Sequence, residues 1–283
     1  MNTGKTKNLG IIGFPIEHSL SPVLQNAALE AAGLDYTYIA MPVQAEQLGQ
    51  AVDGLKALGF SGVNVTIPHK TAIMALLDSV DEGARMIGAV NTVVNRYGKL
   101  FGYNTDVIGF TEGLKNHGFQ AAGRRAALLG AGGAARSVVW GLIKSGIKRI
   151  SIGVRNVEKA RPLMESFGAY ASMQLFPWED ASFAQELSNA DLLVNTTPLG
   201  MYPKTEAVPP VQWERLKKDA FVYDIIYTPE KTKFLQLAEQ HGHPILNGTE
   251  MLVGQGAAAF KLWLEKDADV QVMTDALRNA LKA

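Results

Sequence analysis

Along the first hundred residues, short runs of consecutive apolar side chains alternate with stretches in which apolar positions return every three or four residues. The first pattern reads as strands near 9–13, 36–43 and 62–67, and the second as amphipathic helices near 22–32 and 46–58. Ser21 followed by Pro22 suits a helix start, since a serine hydroxyl can accept from free amides and proline fits the first turn. Gly33 and Gly59 stand where those helices should stop. From 91 to 103 the apolar positions alternate about Tyr97-Gly98, which predicts a hairpin closing the first domain.

A second series of the same kind opens near Arg125, where an apolar strand at 126–129 leads into a glycine-rich turn and a helix running to about Lys144. Further strands fit 149–154, 192–195 and 221–226, with helices at 157–167 and 231–241. From Gly248 onward there are two helical patterns and no strand. Strands alternating with helices mean an α/β fold with parallel sheets covered on both faces. Two terminal helices with no strands of their own to cover should pack back on the first domain. The expected organisation is therefore an N-terminal α/β domain of residues 1–106 completed by 248–283, with a Rossmann-like domain of 107–247 inserted.

Composition narrows the function more than the fold. A chain of 283 residues, 47% hydrophobic, is long enough for about two domains. Lysine plus arginine and aspartate plus glutamate each total 27, so no global field favours nucleic acid or a membrane surface, and an anionic ligand needs local groups. Cysteine is absent, which removes disulfides, thiol catalysis and cysteine-ligated metals and fits a reduced cytoplasm. No segment approaches the roughly 20 apolar residues of a membrane span, and the apolar stretch before Pro15 is short for a signal sequence. The five histidines, at 18, 69, 117, 241 and 243, lack the spacing of a metal motif, so no metal is expected.

Gly130-Ala131-Gly132-Gly133-Ala134-Ala135 follows an apolar strand and opens a helix, the setting a dinucleotide fingerprint requires. Gly130 permits the tight turn, Gly132 lets the backbone approach a pyrophosphate, and Ala135 permits close helix–sheet packing. The bland alternative is a tight turn that binds nothing. The end of the next strand separates the cofactors, because an acidic residue there accepts from the ribose of NAD and repels a 2′-phosphate. Here it reads Val154-Arg155-Asn156, followed by Lys159, with no carboxylate before Asn156, which favours NADP over NAD. A solvated loop arginine is the competing reading.

Three further stretches put polar groups where strands end, the usual place for ligands in open α/β sheets. Ser19 and Ser21 stand two apart after the first strand and suit a carboxylate, with helix capping as the alternative. In NVTIPHK, Asn64 and Thr66 share a strand face and Lys70 emerges beyond Pro68, where an ordinary solvated lysine is the competing reading. Asn91 and Asn104-Thr105-Asp106 complete the set, and Asp106, at the crossing between the two domains, could meet Lys70 across the cleft.

In order along the chain, GFPIEHSLSP, NVTIPHK, GAVNT, YNTD, LGAGGAAR, NTTPLGM, DIIYTP and MLVGQGAAAF closely resemble the shikimate dehydrogenase family in its biosynthetic form. The resemblance spans nearly the whole chain. It implies reversible NADPH-dependent reduction of 3-dehydroshikimate to shikimate on the route to aromatic amino acids. It further implies that Ser19, Ser21 and Tyr227 bind the substrate carboxylate, while Thr66, Lys70, Asn91, Asp106 and Gln255 hold the ring hydroxyls and the reacting carbonyl. Lys70 would be the proton donor and Asp106 its partner. For the cofactor, the resemblance implies Gly130, Ala131, Gly132, Gly133 and Ala134 at the pyrophosphate, Arg155, Asn156 and Lys159 at the adenosine phosphate, and Ile225 and Gly248 near the nicotinamide.

Several positions depart from the family pattern: Gln25 before Asn26 where histidine is common, Val107 after Asp106 and Glu250 before Met251 where glycine is common, and Val154-Arg155-Asn156 with Lys159 for Asn-Arg-Thr with arginine. None of these removes a reacting group. Two rival readings are a quinate or dual quinate/shikimate dehydrogenase using NAD, against which the serine pair and Arg155 speak, and a non-catalytic NADP sensor, against which Lys70 and Asp106 speak. The small-molecule partners that the resemblance implies are shikimate and 3-dehydroshikimate, and both monomer and homodimer are allowed.

Overall fold

The computed structural model describes residues 3–282 of the chain. The elements in order are β1 (Lys7–Gly13), α1 (Ser21–Ala31), β2 (Tyr36–Pro42), α2 (Leu48–Ala57), β3 (Gly62–Val65), β4 (Ser79–Val80), α3 (Glu82–Ile87), β5 (Thr92–Arg96), β6 (Lys99–Tyr103) and α4 (Asp106–Asn116). There follow β7 (Arg125–Leu129), α5 (Gly133–Lys144), β8 (Arg149–Val154), α6 (Val157–Phe167), β9 (Ser172–Pro177), α7 (Ala181–Leu187) and β10 (Leu192–Asn195). The chain ends with β11 (Phe221–Asp224), α8 (Lys233–Gln240), β12 (Ile245–Leu246), α9 (Thr249–Leu264) and α10 (Val270–Lys282). Among the described residues no helix is long and apolar enough to cross a membrane.

The chain divides into two compact units: one holds the residues through Gly109 together with those from Leu252 onward, the other Phe110–Met251. The division falls inside α4 and α9, a few residues beyond the positions at which the helices begin. Phe110 explains the first crossing, because its ring stacks on Tyr223 at 5.2 Å within the core of the second unit.

In the first unit the strand order is β2-β1-β3-β5-β6-β4. β1 runs parallel to β2 and β3, whereas β5 is antiparallel to both β3 and β6, so this sheet is mixed where the alternating pattern alone predicted parallel strands. The hairpin causes the reversal. Tyr97 and Gly98 both take positive φ, 55° and 84°, the tight turn whose twist matches the flanking strands. One sheet face packs α1, α9 and α10 through Leu24, Phe260, Met273 and Leu277, and the other packs α2 through Leu48, Val52 and Leu55. The two C-terminal helices thus complete this unit.

Ser21 does not cap α1. It is the first residue of the helix, Leu20 flanks it without a side-chain cap, and Pro22 lies in the first turn. Its amide hydrogen donates to Ser19 Oγ at 3.3 Å instead. Gly33 and Gly59 follow α1 and α2 at φ of 63° and 67°, the left-handed geometry that releases a chain from a helix.

The second unit is a six-stranded parallel sheet in the order β12-β11-β10-β7-β8-β9. Chain order runs outward from β7 on one side and restarts at β10 on the other, which puts the reversal between β7 and β10. This is the doubly wound dinucleotide-binding topology, and ligands of such sheets sit beyond the carboxyl ends of the strands at that reversal. Strands β10 and β11 are wholly buried, as a sheet covered on both faces demands.

Candidate active site

In the first unit, strand ends converge on one ion pair. Lys70 Nζ donates to Asp106 Oδ2 at 2.7 Å, with the carboxylate mostly buried and the lysine more open. Both residues belong to the same unit, so this contact is not made across a cleft. Backbone hydrogen bonds fix the approach: Val90 N donates to Lys70 O, Val65 N to Asn91 O and Asn91 N to Tyr103 O. Asp106 opens α4, where the helix dipole favours a negative charge.

Asn91 holds the other carboxylate oxygen. Its Nδ2 donates to Asp106 Oδ1 at 2.8 Å and to Thr105 Oγ1 at 3.0 Å, while its Oδ1 accepts from Thr105 N and Thr92 Oγ1. Asn64 follows in the same network, donating to Thr92 Oγ1 at 3.1 Å and accepting from Tyr38 Oη at 2.7 Å. All six of these residues are buried. An ammonium carries three donors and Asp106 engages one, so Lys70 can present another to a ligand oxygen.

Ser19 is half-buried and Ser21 buried just beyond β1. Thr66 stands immediately past β3, close to the same turn: a Cβ on Gly13 would run into Thr66 Cγ2, and Phe14 N donates to Ile67 O at 3.0 Å. Gln255 lies in the second turn of α9, buried, its Nε2 donating to Leu252 O at 2.8 Å. Gln25 is fully buried and donates to Gly256 O at 2.9 Å, tying α1 to α9. Tyr227 belongs to the second unit, half-buried, with burial pushing its phenol above the ordinary range.

The second unit carries a cavity of about 310 Å³ at the reversal of strand order. Gly130, Ala131, Gly132, Arg155, Asn156 and Lys159 line it, as do Val154, Ala160, Trp178 and Thr196–Leu199. Gly133 and Ala134 start α5 and do not line it. Gly130 takes φ of 97°, and a Cβ there would meet Thr197 Cγ2 at 2.7 Å; at Gly132 a Cβ would meet nothing within 4 Å. The floor is therefore bare backbone at a helix N-terminus, which suits a pyrophosphate. None of the lining residues is acidic, and Arg155 and Lys159 supply positive charge. A 2′-phosphorylated dinucleotide fits this donor set better than its unphosphorylated relative.

Ile225 and Gly248 lie outside that lining but against each other: Gly248 N donates to Ile226 O at 2.9 Å, and a Cβ on Gly248 would collide with Ile225 O. Asp224 anchors this corner. Its carboxylate accepts from Thr232 Oγ1 at 2.6 Å, Asn195 Nδ2 at 3.1 Å and Ile226 N at 3.1 Å. Burial outweighs those donors and pushes its carboxyl up to about 7.

Sequence reasoning did not place Tyr38 in the site and reached Thr92 only within the segment GAVNT, nor did it place Trp178 and Thr196–Leu199 in the cavity. The segment NTTPLGM flagged the latter four residues only as part of a resemblance. Trp178 gave no signal, because it follows β9, a strand whose pattern is too weak to read.

Three family signatures match this chain: shikimate dehydrogenase substrate binding domain over residues 11–93, shikimate / quinate 5-dehydrogenase over 113–225, and shikimate 5′-dehydrogenase C-terminal domain over 248–278. The NADP(+) shikimate dehydrogenase of Desulforamulus reducens is 45% identical over 279 residues, covering 97% of this chain and 95% of that protein. A solved shikimate dehydrogenase in complex with NADP+ superposes with a TM-score of 0.92 at 39% identity, covering 99% of this chain and 98% of the other. The Thermus thermophilus shikimate 5-dehydrogenase in complex with NADP(H) and shikimate gives 0.88 at 37% identity, covering 97% and 100%.

Proposed function

The chain belongs to the shikimate dehydrogenase family, and from that membership we propose that it catalyses the reversible NADPH-dependent reduction of 3-dehydroshikimate to shikimate. The arrangement that best supports this activity is the Lys70–Asp106 pair, braced by Asn91 on the carboxylate oxygen that the lysine leaves open. It is a proton donor held in a fixed place. The nicotinamide, when bound, supplies a hydride to the ring carbonyl carbon. Lys70 Nζ delivers a proton to the carbonyl oxygen as it becomes a hydroxyl, and takes it back in the oxidative direction. Asp106 keeps the ammonium aimed and accepts from a neighbouring ring hydroxyl.

Ser19, Ser21 and Tyr227 bind the carboxylate in this reading, and Thr66, Asn91 and Gln255 hold the ring hydroxyls. Residues 1–106 with 248–283 serve the substrate, and 107–247 the nucleotide. Gly130–Ala134 cradle the pyrophosphate, Arg155, Asn156 and Lys159 take the adenosine phosphate, and Ile225 and Gly248 offer backbone to the nicotinamide. The lack of a carboxylate in the cavity lining supports NADP. The reading includes a cytoplasmic enzyme acting as a monomer or homodimer.

Absorbance at the nicotinamide band tests it, with shikimate or quinate each offered NADP+ or NAD+. Shikimate with NADP+ is the expected productive pair. Preferential turnover of quinate with NAD+ would assign the rival specificity, and no turnover with any pair would revive the non-catalytic sensor.

A further inference from the structure

Tyr38 lies on β2, outside every group of residues assigned so far to substrate or cofactor. It is almost completely buried. Asn26 clasps its backbone from both sides, accepting from Tyr38 N and donating to Tyr38 O, each at 2.9 Å. Tyr38 pairs with Leu9 on β1, and Asn64 of β3 pairs with Ile11, so the phenol reaches diagonally across β1 to donate to Asn64 Oδ1 at 2.7 Å. Trp263 of α9 packs against the same ring with centroids 6.0 Å apart and donates its own hydrogen to Val93 O. The network therefore runs beneath an aromatic cover.

The hydrogen bonds in this network share one direction. Tyr38 donates to Asn64, Asn64 to Thr92, Thr92 to Asn91 and Asn91 to the Asp106 carboxylate, whose second oxygen faces Lys70. At the head of the chain stands the buried Tyr38 phenol. Burial pushes that phenol well above its ordinary range, so it keeps its proton and remains the donor that Asn64 requires. A primary amide has an acceptor end and a donor end that can exchange places, and here neighbouring donors settle which way each points. Tyr38 at the oxygen and the Asn91 carbonyl at the nitrogen settle Asn64, and Asn64 through Thr92 helps to settle the Asn91 side chain.

We infer that Tyr38 is a positioning residue that stands at the head of one continuous, one-directional hydrogen-bond chain ending on the Lys70–Asp106 pair. The inference rests on the proposed dehydrogenase activity and adds a residue to it. Removing the phenolic hydrogen leaves Asn64 Oδ1 buried without its donor, and the amide cannot recover by turning over, because its Nδ2 donates to Asn91 O at 3.1 Å and a flip would set oxygen against oxygen. An amide loosened at its oxygen holds Thr92 less firmly, the Thr92 hydroxyl can turn from Asn91 Oδ1 to Thr105 Oγ1 at 3.0 Å, and Asn91 loses one of the donors that orient it toward Asp106. The ring itself stays packed against Trp263.

The test is Tyr38→Phe, alone and combined with Thr92→Val, assayed for shikimate oxidation with NADP+ beside wild type. Wild-type turnover tests the activity itself, and the ratio of variant to wild type tests Tyr38. Tyr38→Phe should lower kcat/KM for shikimate by about tenfold, the usual scale for orphaning a buried acceptor, while KM for NADP+ stays unchanged. On a Thr92→Val background, where the chain is already cut, adding Tyr38→Phe should cost no further activity. Calorimetric shikimate binding gives a second readout that needs no turnover, and should weaken in Tyr38→Phe. Independent, multiplying losses in the double variant would overturn the inference, as would a thermal destabilisation with unchanged shikimate kinetics and binding.

Discussion

Asp106 presents its two carboxylate oxygens to different partners: Oδ2 accepts from Lys70 Nζ at 2.7 Å, and Oδ1 accepts from Asn91 Nδ2 at 2.8 Å. A carboxylate gripped on one oxygen alone can swing. Gripped on both, it becomes a fixed acceptor that determines where the ammonium points. Thr105, the preceding residue, is bound through its own amide and hydroxyl to the same Asn91, so the start of α4 and the end of the hairpin act as one rigid piece.

Lys70→Met keeps most of the aliphatic stem and removes the ammonium. It should reduce kcat by about 10²- to 10⁴-fold, the usual contribution of a positioned acid or base, while leaving NADP+ affinity at the wild-type value. Steady-state oxidation of shikimate together with fluorescence titration of NADPH checks both halves. Retained kcat would show that Lys70 does not carry the proton.

Arg155 and Lys159 line the cavity with Asn156, and Arg155 also rests over the Trp178 ring at 5.9 Å. Arg155→Gln should lower kcat/KM with NADP+ by about 10- to 100-fold, the scale of a lost hydrogen bond to a charged group. With NAD+, which lacks the 2′-phosphate, little should change. Equal losses with both cofactors would mean that Arg155 shapes the cavity without recognising phosphate.

Much of this was legible in the sequence, and the failures have identifiable causes. The glycine-rich turn and the strands beside it carry buried apolar runs, so β7, β8, β10 and β11 could be read directly. β9 could not: it is an edge strand whose residues alternate between exposed and half-buried until Phe176, and β12 has only two residues. Ser21 looked like a cap because serine before proline usually is one, yet the chain enters α1 one residue earlier. Lys70 and Asp106 could be picked by residue type. The path through Tyr38, Asn64 and Thr92 could not, since it crosses three strands whose order and register local pattern does not encode.

The buried Asp224 carboxyl makes stability depend on pH in a direction opposite to most surface carboxylates. Its folded pKa of about 7 lies above the unfolded value, roughly 4 for aspartate, so between those values the folded state holds more proton than the unfolded one. Its contribution to stability is full below the unfolded pKa and is lost as pH rises through about 7. Paired carboxylates such as Glu186 and Asp191, held below their ordinary range, act with the other sign at acid pH. Asp224→Asn removes only the first effect. The difference in thermal midpoint between wild type and Asp224→Asn, followed from pH 5 to 8, should therefore move in favour of the variant as pH rises. A difference that stays constant across that range would mean Asp224 does not titrate there.

Two glycines of one turn should fail in different ways when each is replaced by alanine. At Gly130 the backbone sits at φ of 97°, and the added methyl would press on Thr197 Cγ2 at 2.7 Å and Thr196 Oγ1 at 3.2 Å. Thr196 cannot retreat freely, since its hydroxyl donates to Leu129 O at 2.8 Å. Gly130→Ala should therefore destabilise the protein by about 1–3 kcal/mol, as expected for a side chain forced into this region, and lower activity through misfolding of the turn. Gly132 has an extended backbone and open space around it, so Gly132→Ala should keep the wild-type thermal midpoint. Its methyl would instead stand in the volume that a pyrophosphate needs, and NADPH affinity should fall. Calorimetric unfolding and NADPH titration on both variants separate the two effects. Unchanged NADPH binding in a fully folded Gly132→Ala protein would remove the glycine-rich turn from the cofactor site.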